Sequence, residues 1–210
     1  MSSLQSATDI SFTRERWNER YRAGEHTWTD PDPLLPSLYE EFIGPLFPPD
    51  GPGPRRGLDL AGGAGRHAIW MARQGWQMTV ADISDEATAL ARRNAQAVGV
   101  DLQTLCEPGL DTLQRASASP DAQYDLIMVF QYLDRSLFPA MRTAIRSGGL
   151  ILYKTHTIDH LELGDGKGPK DPERLLQRQE LLRVFAGARV LYYNETVVRR
   201  GTQCLLAQMP

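Results

Sequence analysis

Little in this sequence serves a disulfide framework, a metal centre or a membrane span. Its 210 residues include two cysteines, Cys106 and Cys204, far apart and without metal-ligand spacing. Both are expected as buried thiols within strands, unlinked by a disulfide. Four histidines are scattered along the chain, and no Cys/His cluster accompanies them, so no metal site is expected. Apolar runs are strand-sized, well short of the about 20 residues that cross a bilayer, so no membrane association is expected. The first ten residues are polar and lack a basic segment followed by an apolar run, and a cytoplasmic protein is the default expectation. Positive charge is also in short supply. Lys and Arg total 23 against 26 Asp and Glu, a net charge of -3, which gives no phosphate-tracking surface and no reason to expect nucleic-acid binding. A Gly-x-Ser-x-Gly nucleophile turn is missing too, which removes support for a Ser-His-Asp hydrolase.

What remains is a composition with 41% hydrophobic and 23% charged residues, ordinary for a globular domain and long enough for one full α/β core. Three stretches divide it. Residues 10–47 form an N-terminal helical cap, with helices expected over 12–22 and 33–46. Residues 48–56, rich in Pro and Gly, form a linker that can sustain neither helix nor central strand. Residues 57–210 make the core.

In that core strands alternate with helices. Strands are expected at 57–61, 77–83, 102–107, 124–130 and 150–155. Helices are expected at 65–74, from Ser84 to Val98, at 110–117, at 137–146 and at 175–185. Ser84 caps its helix, Asp85 and Glu86 suit its first turn, and Gly99 ends it. Two β-rich runs, 189–198 and 202–209, leave no room for a helix between them and must form an antiparallel hairpin. The fold class is therefore α/β, a doubly wound and mostly parallel seven-stranded sheet with a C-terminal antiparallel hairpin.

Chemistry concentrates in Leu58-Asp59-Leu60-Ala61-Gly62-Gly63-Ala64-Gly65-Arg66-His67-Ala68, a strand running through glycines into a helix. Such a loop lets backbone N–H groups approach a ligand, and its glycines alone also satisfy a dinucleotide fingerprint. Asp59 decides between the ligands. A pyrophosphate would meet a like charge there, whereas a sulfonium or ammonium group suits a carboxylate. Asp82, ending the second strand, is placed to accept hydrogen bonds from ribose hydroxyls, with helix capping as its competing role.

With these motifs the chain resembles the class I S-adenosylmethionine (SAM)-dependent methyltransferases, and within them the small-molecule tellurite-resistance-type and thiopurine-type group. The resemblance also draws on Trp17-Asn18-Glu19-Arg20-Tyr21 with Trp28, Tyr124-Asp125-Leu126-Ile127, Phe130-Gln131-Tyr132-Leu133-Asp134-Arg135, Ser147-Gly148-Gly149 and Gly168-Pro169-Lys170-Asp171-Pro172. It implies a Rossmann-like methyltransferase fold, SAM as cofactor and a small-molecule methyl acceptor, in a monomer or homodimer. It further implies that Asp59 and the backbone of Ala61, Gly62, Gly63 and Gly65 hold the methionine part of SAM. Asp82 would hold the ribose, Ile83 would pack on adenine, and Phe130 and Tyr132 would flank the sulfonium. The family's aspartate near the adenine amine is replaced here by Cys106-Glu107-Pro108-Gly109, with either Glu107, one residue out of register, or backbone groups as its substitute.

Trp28 is expected to close over the cofactor, while Trp17 and Tyr21 are read as packing of the first helix. His67 is read as structural. His156, just past the fifth strand, is the histidine placed to touch substrate, and residues 159–172 are a candidate rim over the acceptor. The aromatics around the donor favour an apolar or polarizable acceptor. No catalytic base is assigned. The rival readings are a nicotinamide-dependent oxidoreductase, opposed by Asp59 and the terminal hairpin, and a non-catalytic partner subunit of the same fold.

Overall fold

A computed structural model describes residues 7–163, 168–198 and 200–210, with side chains from Ile10 onward. Residues 1–6, most of the expected polar N-terminus, and 164–167, part of the expected rim, lie outside the described residues. The chain opens with helix α1 (Ala7–Arg22), followed by α2 (Leu34–Leu38), a π-helical turn over Tyr39–Ile43, and α3 (Gly44–Leu46). Leu35, Leu38 and Ile43 bury the inner face of this second helical stretch.

The core runs β1 (Arg56–Leu60), α4 (Arg66–Arg73), β2 (Gln77–Asp82), α5 (Asp85–Ala97), β3 (Gln103–Cys106), α6 (Gly109–Ser117), β4 (Tyr124–Phe130), α7 (Leu137–Ala144) and β5 (Ile145–His156). Short helices α8 (His160–Leu163) and α9 (Glu180–Val184) precede β6 (Arg189–Thr196) and β7 (Thr202–Gln208). One seven-stranded sheet results, in the order β3-β2-β1-β4-β5-β7-β6. The pairs among β1 to β5 are parallel, and β7 lies antiparallel between β5 and β6. This is the doubly wound sheet with a terminal hairpin that the alternating pattern requires.

Both faces of the sheet are covered, which is why every residue of β4 is buried. Strand parity assigns the faces. Ile127 and Val129 pack with Leu58, Leu60 and Tyr153 on one side, and Leu126, Met128 and Phe130 pack with Val80, Met71 and Leu206 on the other.

Several boundaries differ from the sequence expectation, among them the start of α1 at Ala7 in place of 12. The linker ends one residue early, because the Arg56 N–H donates to the buried Asp125 carboxylate at 2.6 Å and so joins β1. The helix expected to reach 146 stops at Ala144, since buried Ile145 pairs with Tyr124 and begins β5 ahead of the glycines. The helix expected over 175–185 shrinks to α9. Leu176 instead pairs with Thr157 as an isolated bridge, and Gln179 adopts a left-handed φ of 56°. Arg135 holds that extended stretch, donating to the Leu175 carbonyl at 2.8 Å and to the Glu180 carboxylate at 2.7 and 2.9 Å. Cys204 is buried in β7 as expected, whereas Cys106 is only half-buried.

The N-terminal cap is tied to the sheet by a buried ion pair. Lys154 on β5 donates to both oxygens of Asp32 at 2.8 Å. Burial works to raise the Asp32 pKa, but the ammonium overrides it and holds the carboxyl below its usual range. Replacing Lys154 by Met strands a carboxylate without its cation, and such single-partner removals cost about 3–5 kcal/mol. Chemical denaturation of Lys154→Met should therefore show a clearly lower midpoint, and a loss under about 1 kcal/mol would mean that water already screens the pair.

Candidate functional site

The strand order reverses between β1 and β4, and ligands of open α/β sheets bind outside the carboxyl ends of the strands at such a point. The loop leaving β1 there uses three left-handed residues in alternation, Ala61 (φ 53°), Gly63 (φ 57°) and Gly65 (φ 80°). Gly65 ends the loop as the cap residue of α4 and has no side chain to bond the helix's free N–H groups. A Cβ on Gly63 would meet the Tyr21 hydroxyl, the movable end of a side chain, so it is the left-handed φ that chiefly favours glycine here. Ala61 has no such freedom, and a non-glycine residue held there stores of order 1 kcal/mol of strain.

Asp59 sits beneath this loop. It shares its sheet face with Met128, its register partner on β4, which aims the carboxylate at the start of α4. There Oδ2 accepts the Ala68 N–H at 3.3 Å. Only 1% of the residue is exposed. Burial pushes the Asp59 pKa up to about 7, against the lowering effects of the Ala68 bond and the Arg66 charge. His67 stands 3.9 Å away and is stacked on Phe130, with ring centroids 3.9 Å apart and planes at 16°. Burial lowers the His67 pKa to about 3, so it is neutral, and its Nε2 has no hydrogen-bond partner.

A cavity of about 120 Å³ opens above the loop, with Asp59, Ala61, Gly62, Gly63, His67 and Phe130 among its walls. Its outer wall is aromatic. Trp17, Tyr21, His26 and Trp28 form a chain of ring contacts with centroids 5.3–6.5 Å apart, and the Arg66 guanidinium lies 5.5 Å from the Trp28 ring. Asn18 fixes α1 in this place, accepting from the Ser84 hydroxyl at 2.6 Å and donating to Asp85 at 3.3 Å. A second, larger cavity of about 550 Å³ lies past the ends of β4 and β5, between Asp32, Lys154, His156 and Thr202. Gln131 lines both cavities and holds a left-handed φ of 57°. Such a conformation is uncommon outside glycine, and it turns the chain where the two cavities meet.

A family model described as a methyltransferase domain matches residues 34–196. The chain belongs to that family. The methyltransferase domain is 32% identical over 106 residues to a ubiquinone biosynthesis O-methyltransferase of Aeromonas salmonicida (strain A449). That match covers 48% of this chain and 43% of the relative, less than half the length of either. Among solved structures it superposes on TehB from Haemophilus influenzae with a TM-score of 0.65 and 17% identity, over 92% of this chain and 67% of the other. The magnesium protoporphyrin IX methyltransferase ChlM of Synechocystis PCC 6803, solved with bound S-adenosylhomocysteine, gives a TM-score of 0.65 at 14% identity, over 96% and 100%. At these identities the likeness is one of fold.

Within the methyltransferase domain, six of the residues singled out from the sequence gather around the loop cavity, namely Trp28, Asp59, Ala61, Gly62, Gly63 and Phe130. The other five stand behind it or to one side. Gly65 packs against Ala91 of α5. Asp82 accepts from the Gly63 N–H through one oxygen and from the Ser84 N–H through the other, both at 2.9 Å, and so braces the loop. The Ile83 carbonyl accepts from Arg14 of α1 at 3.0 Å. Tyr132 is partly buried, and its carbonyl accepts the Tyr153 hydroxyl at 2.9 Å. Glu107 turns toward α6, where Thr112 and Arg115 donate to it at 2.6–2.7 Å, so its carboxylate is committed away from the cavity.

Sequence reasoning missed several lining residues. Trp17 and Tyr21 were assigned to helix packing, yet they face the loop, and their four-residue spacing on α1 was the available signal. His67 was assigned a structural part, yet its ring is a cavity wall. His156 and His160, four residues apart, bring their rings to 4.2 Å, a pairing not read from the sequence because it crosses a strand end.

Asp59 gives a measurable pH signature. Its folded-state pKa of about 7 exceeds the ordinary carboxyl value of 3.8, so the folded chain retains a proton that the unfolded chain releases between those values. Wild type should lose stability relative to Asp59→Asn as pH rises from about 4 to about 7, with no further divergence above that. Paired denaturation curves across pH 4–9 read this directly, and a difference independent of pH would mean that Asp59 titrates normally.

Proposed function

We propose that this methyltransferase domain transfers the methyl group of SAM to a small molecule. The observation carrying this reading is the buried Asp59 carboxylate under a glycine loop at the switch point, opposite an aromatic wall. When bound, SAM supplies a methyl group on a sulfonium, a carbon already activated for in-line displacement. A carboxylate beside that loop favours a cation and opposes a pyrophosphate, which argues against a nicotinamide cofactor. Asp82 keeps lone pairs beyond the two engaged by Gly63 and Ser84, enough for ribose hydroxyls as well as the loop. Ile83 and Phe130 offer apolar surface to the adenine and the methionine chain, and the loop backbone from Ala61 to Gly65 offers N–H groups.

The chain's own part is alignment and the exclusion of water, which together supply several kcal/mol of such a barrier. The cavity of about 120 Å³ is smaller than the roughly 300 Å³ of cofactor-sized pockets, so its aromatic cover shifts to admit SAM, and the exposed Trp28 then closes over it. The acceptor enters the larger cavity, which meets the donor loop at Gln131. Two free thiols, half-buried Cys106 and buried Cys204, suit a reducing cytoplasm, and the domain acts as a monomer or homodimer.

Isothermal titration calorimetry tests the donor. SAM and S-adenosylhomocysteine should bind, and NAD and NADP should not. SAM affinity should fall roughly tenfold per pH unit below about 7, because Asp59 must release its proton to meet the cation. Tight dinucleotide binding without SAM binding would overturn the assignment.

A further inference from the structure

Charge is unevenly shared between the two cavities. Among the described residues the loop cavity is lined by one carboxylate, Asp59, and one cation, Arg66. The larger cavity is lined by two cations, Lys154 and Arg200, against the single carboxylate of Asp32. This surplus runs against a chain whose net charge is -3. Asp32 does not use up Lys154 either. Its two oxygens take two of the three ammonium N–H groups, each at 2.8 Å, and the third has no partner among the described residues. Arg200 reaches the cavity from the β6–β7 turn, where its N–H donates to the Val198 carbonyl at 2.8 Å and its own carbonyl accepts the Thr196 hydroxyl at 2.7 Å.

The remaining wall is more apolar than polar, with exposed Val198 and the stems of the two long cations contributing to it. His156, on the same wall, registers the field. Burial has the largest effect on its pKa, and His160, Arg200 and Lys154 all act with burial to lower it to about 4, against the Gly201 backbone. The donor side is adjacent. Lys154 is the register partner of Phe130, and its carbonyl accepts the Gln131 N–H at 2.8 Å.

Building on the donor assignment above, we propose that the larger cavity takes a small organic acid, an apolar body carrying one carboxylate or similar oxyanion, whose negative group is held by Lys154 and Arg200. The atom that accepts the methyl group lies elsewhere on that molecule, toward Gln131 and the donor loop. The cavity of about 550 Å³ falls within the roughly 300–1,000 Å³ of small-molecule sites, so it has room for a body as well as a charged group. An inorganic oxyanion would leave most of that space, and all of its apolar wall, uncovered. A cationic acceptor is opposed twice, because the sulfonium of SAM adds a positive charge beside that of Lys154. An anion relieves the same repulsion. The apolar wall suits the apolar or polarizable acceptor expected from the sequence, and the two cations add a requirement that the sequence did not carry.

The test uses the full chain loaded with S-adenosylhomocysteine and calorimetry with aromatic and aliphatic carboxylic acids, each beside the primary amide of the same body. Amines and inorganic oxyanions complete the panel. Acids should bind about tenfold or more tightly than their amides, and their affinity should fall as salt rises. Arg200→Gln should weaken the acids about tenfold while moving the amides and SAM by less than about twofold. Asp32→Asn combined with Lys154→Gln removes the other cation without stranding a carboxylate, and should weaken the acids again. With methyl-labelled SAM, label is expected on acids that carry a second, nucleophilic group, and at that group. Equal affinity for acid and amide, or binding of no acid in the panel, overturns the proposal. So does a preference for amines or for inorganic oxyanions, an equal loss for acid and amide in Arg200→Gln, or methyl esters as the labelled product. Failure of wild type to bind SAM and S-adenosylhomocysteine would instead strike the donor assignment on which this one rests.

Discussion

A carboxylate held out of water beneath the start of a helix organises this molecule. Asp59 lies on the β1 face that points toward α4, and its oxygen takes the Ala68 N–H, one of the helix's otherwise orphaned donors. For that contact to form, the chain must turn from strand into helix within five residues, Ala61 to Gly65. It does so through three left-handed positions, which in turn fix where α4 begins. Asp82 reinforces the turn from the neighbouring strand by accepting the Gly63 N–H. Two acids thus stand close together at the carboxyl ends of adjacent strands, and each adds to the difficulty of ionising Asp59. A cation brought to this place relieves both burial and repulsion, which is the physical reason a positively charged donor suits it.

The rest of the N-terminal half is a cover for that arrangement. Helix α1 is pinned across the start of α5 by Asn18 and by Arg22, which pairs with Glu86 at 3.1 Å. Its aromatic face closes the loop cavity. The segment after it is pinned separately, by Asp32 to Lys154, at the edge of the second cavity. The cap therefore touches both cavities through different anchors, one a network of neutral and charged hydrogen bonds centred on buried Asn18 and Ser84, the other a largely buried ion pair. Gln131 joins the two spaces at the end of β4, so the two cavities meet at one residue of left-handed conformation.

The sequence by itself determined the sheet, the order of its first five strands and helices, and the terminal hairpin. Those follow from local signals such as uninterrupted apolar strands, the Ser84 cap with its acidic first turn, and glycines that end helices, all of which act over a few residues. It also marked the glycine loop and Asp59, because backbone approach and charge preference are written in residue type, while Phe130 came only with the family resemblance. Only the tertiary structure decided where side chains with more than one partner went. Glu107 was taken by Arg115 of α6, residues 175–179 were drawn into an extended path by the Arg135–Glu180 pair and the bridge to Thr157, and Tyr21 was laid on Gly63 from across the molecule. The last two outcomes depend on groups far apart in the chain, and the second cavity exists only once 32, 131, 156 and 202 are brought together. Periodicity and motif spacing carry no record of such encounters, since the energies that settle them exist only once the sheet has formed.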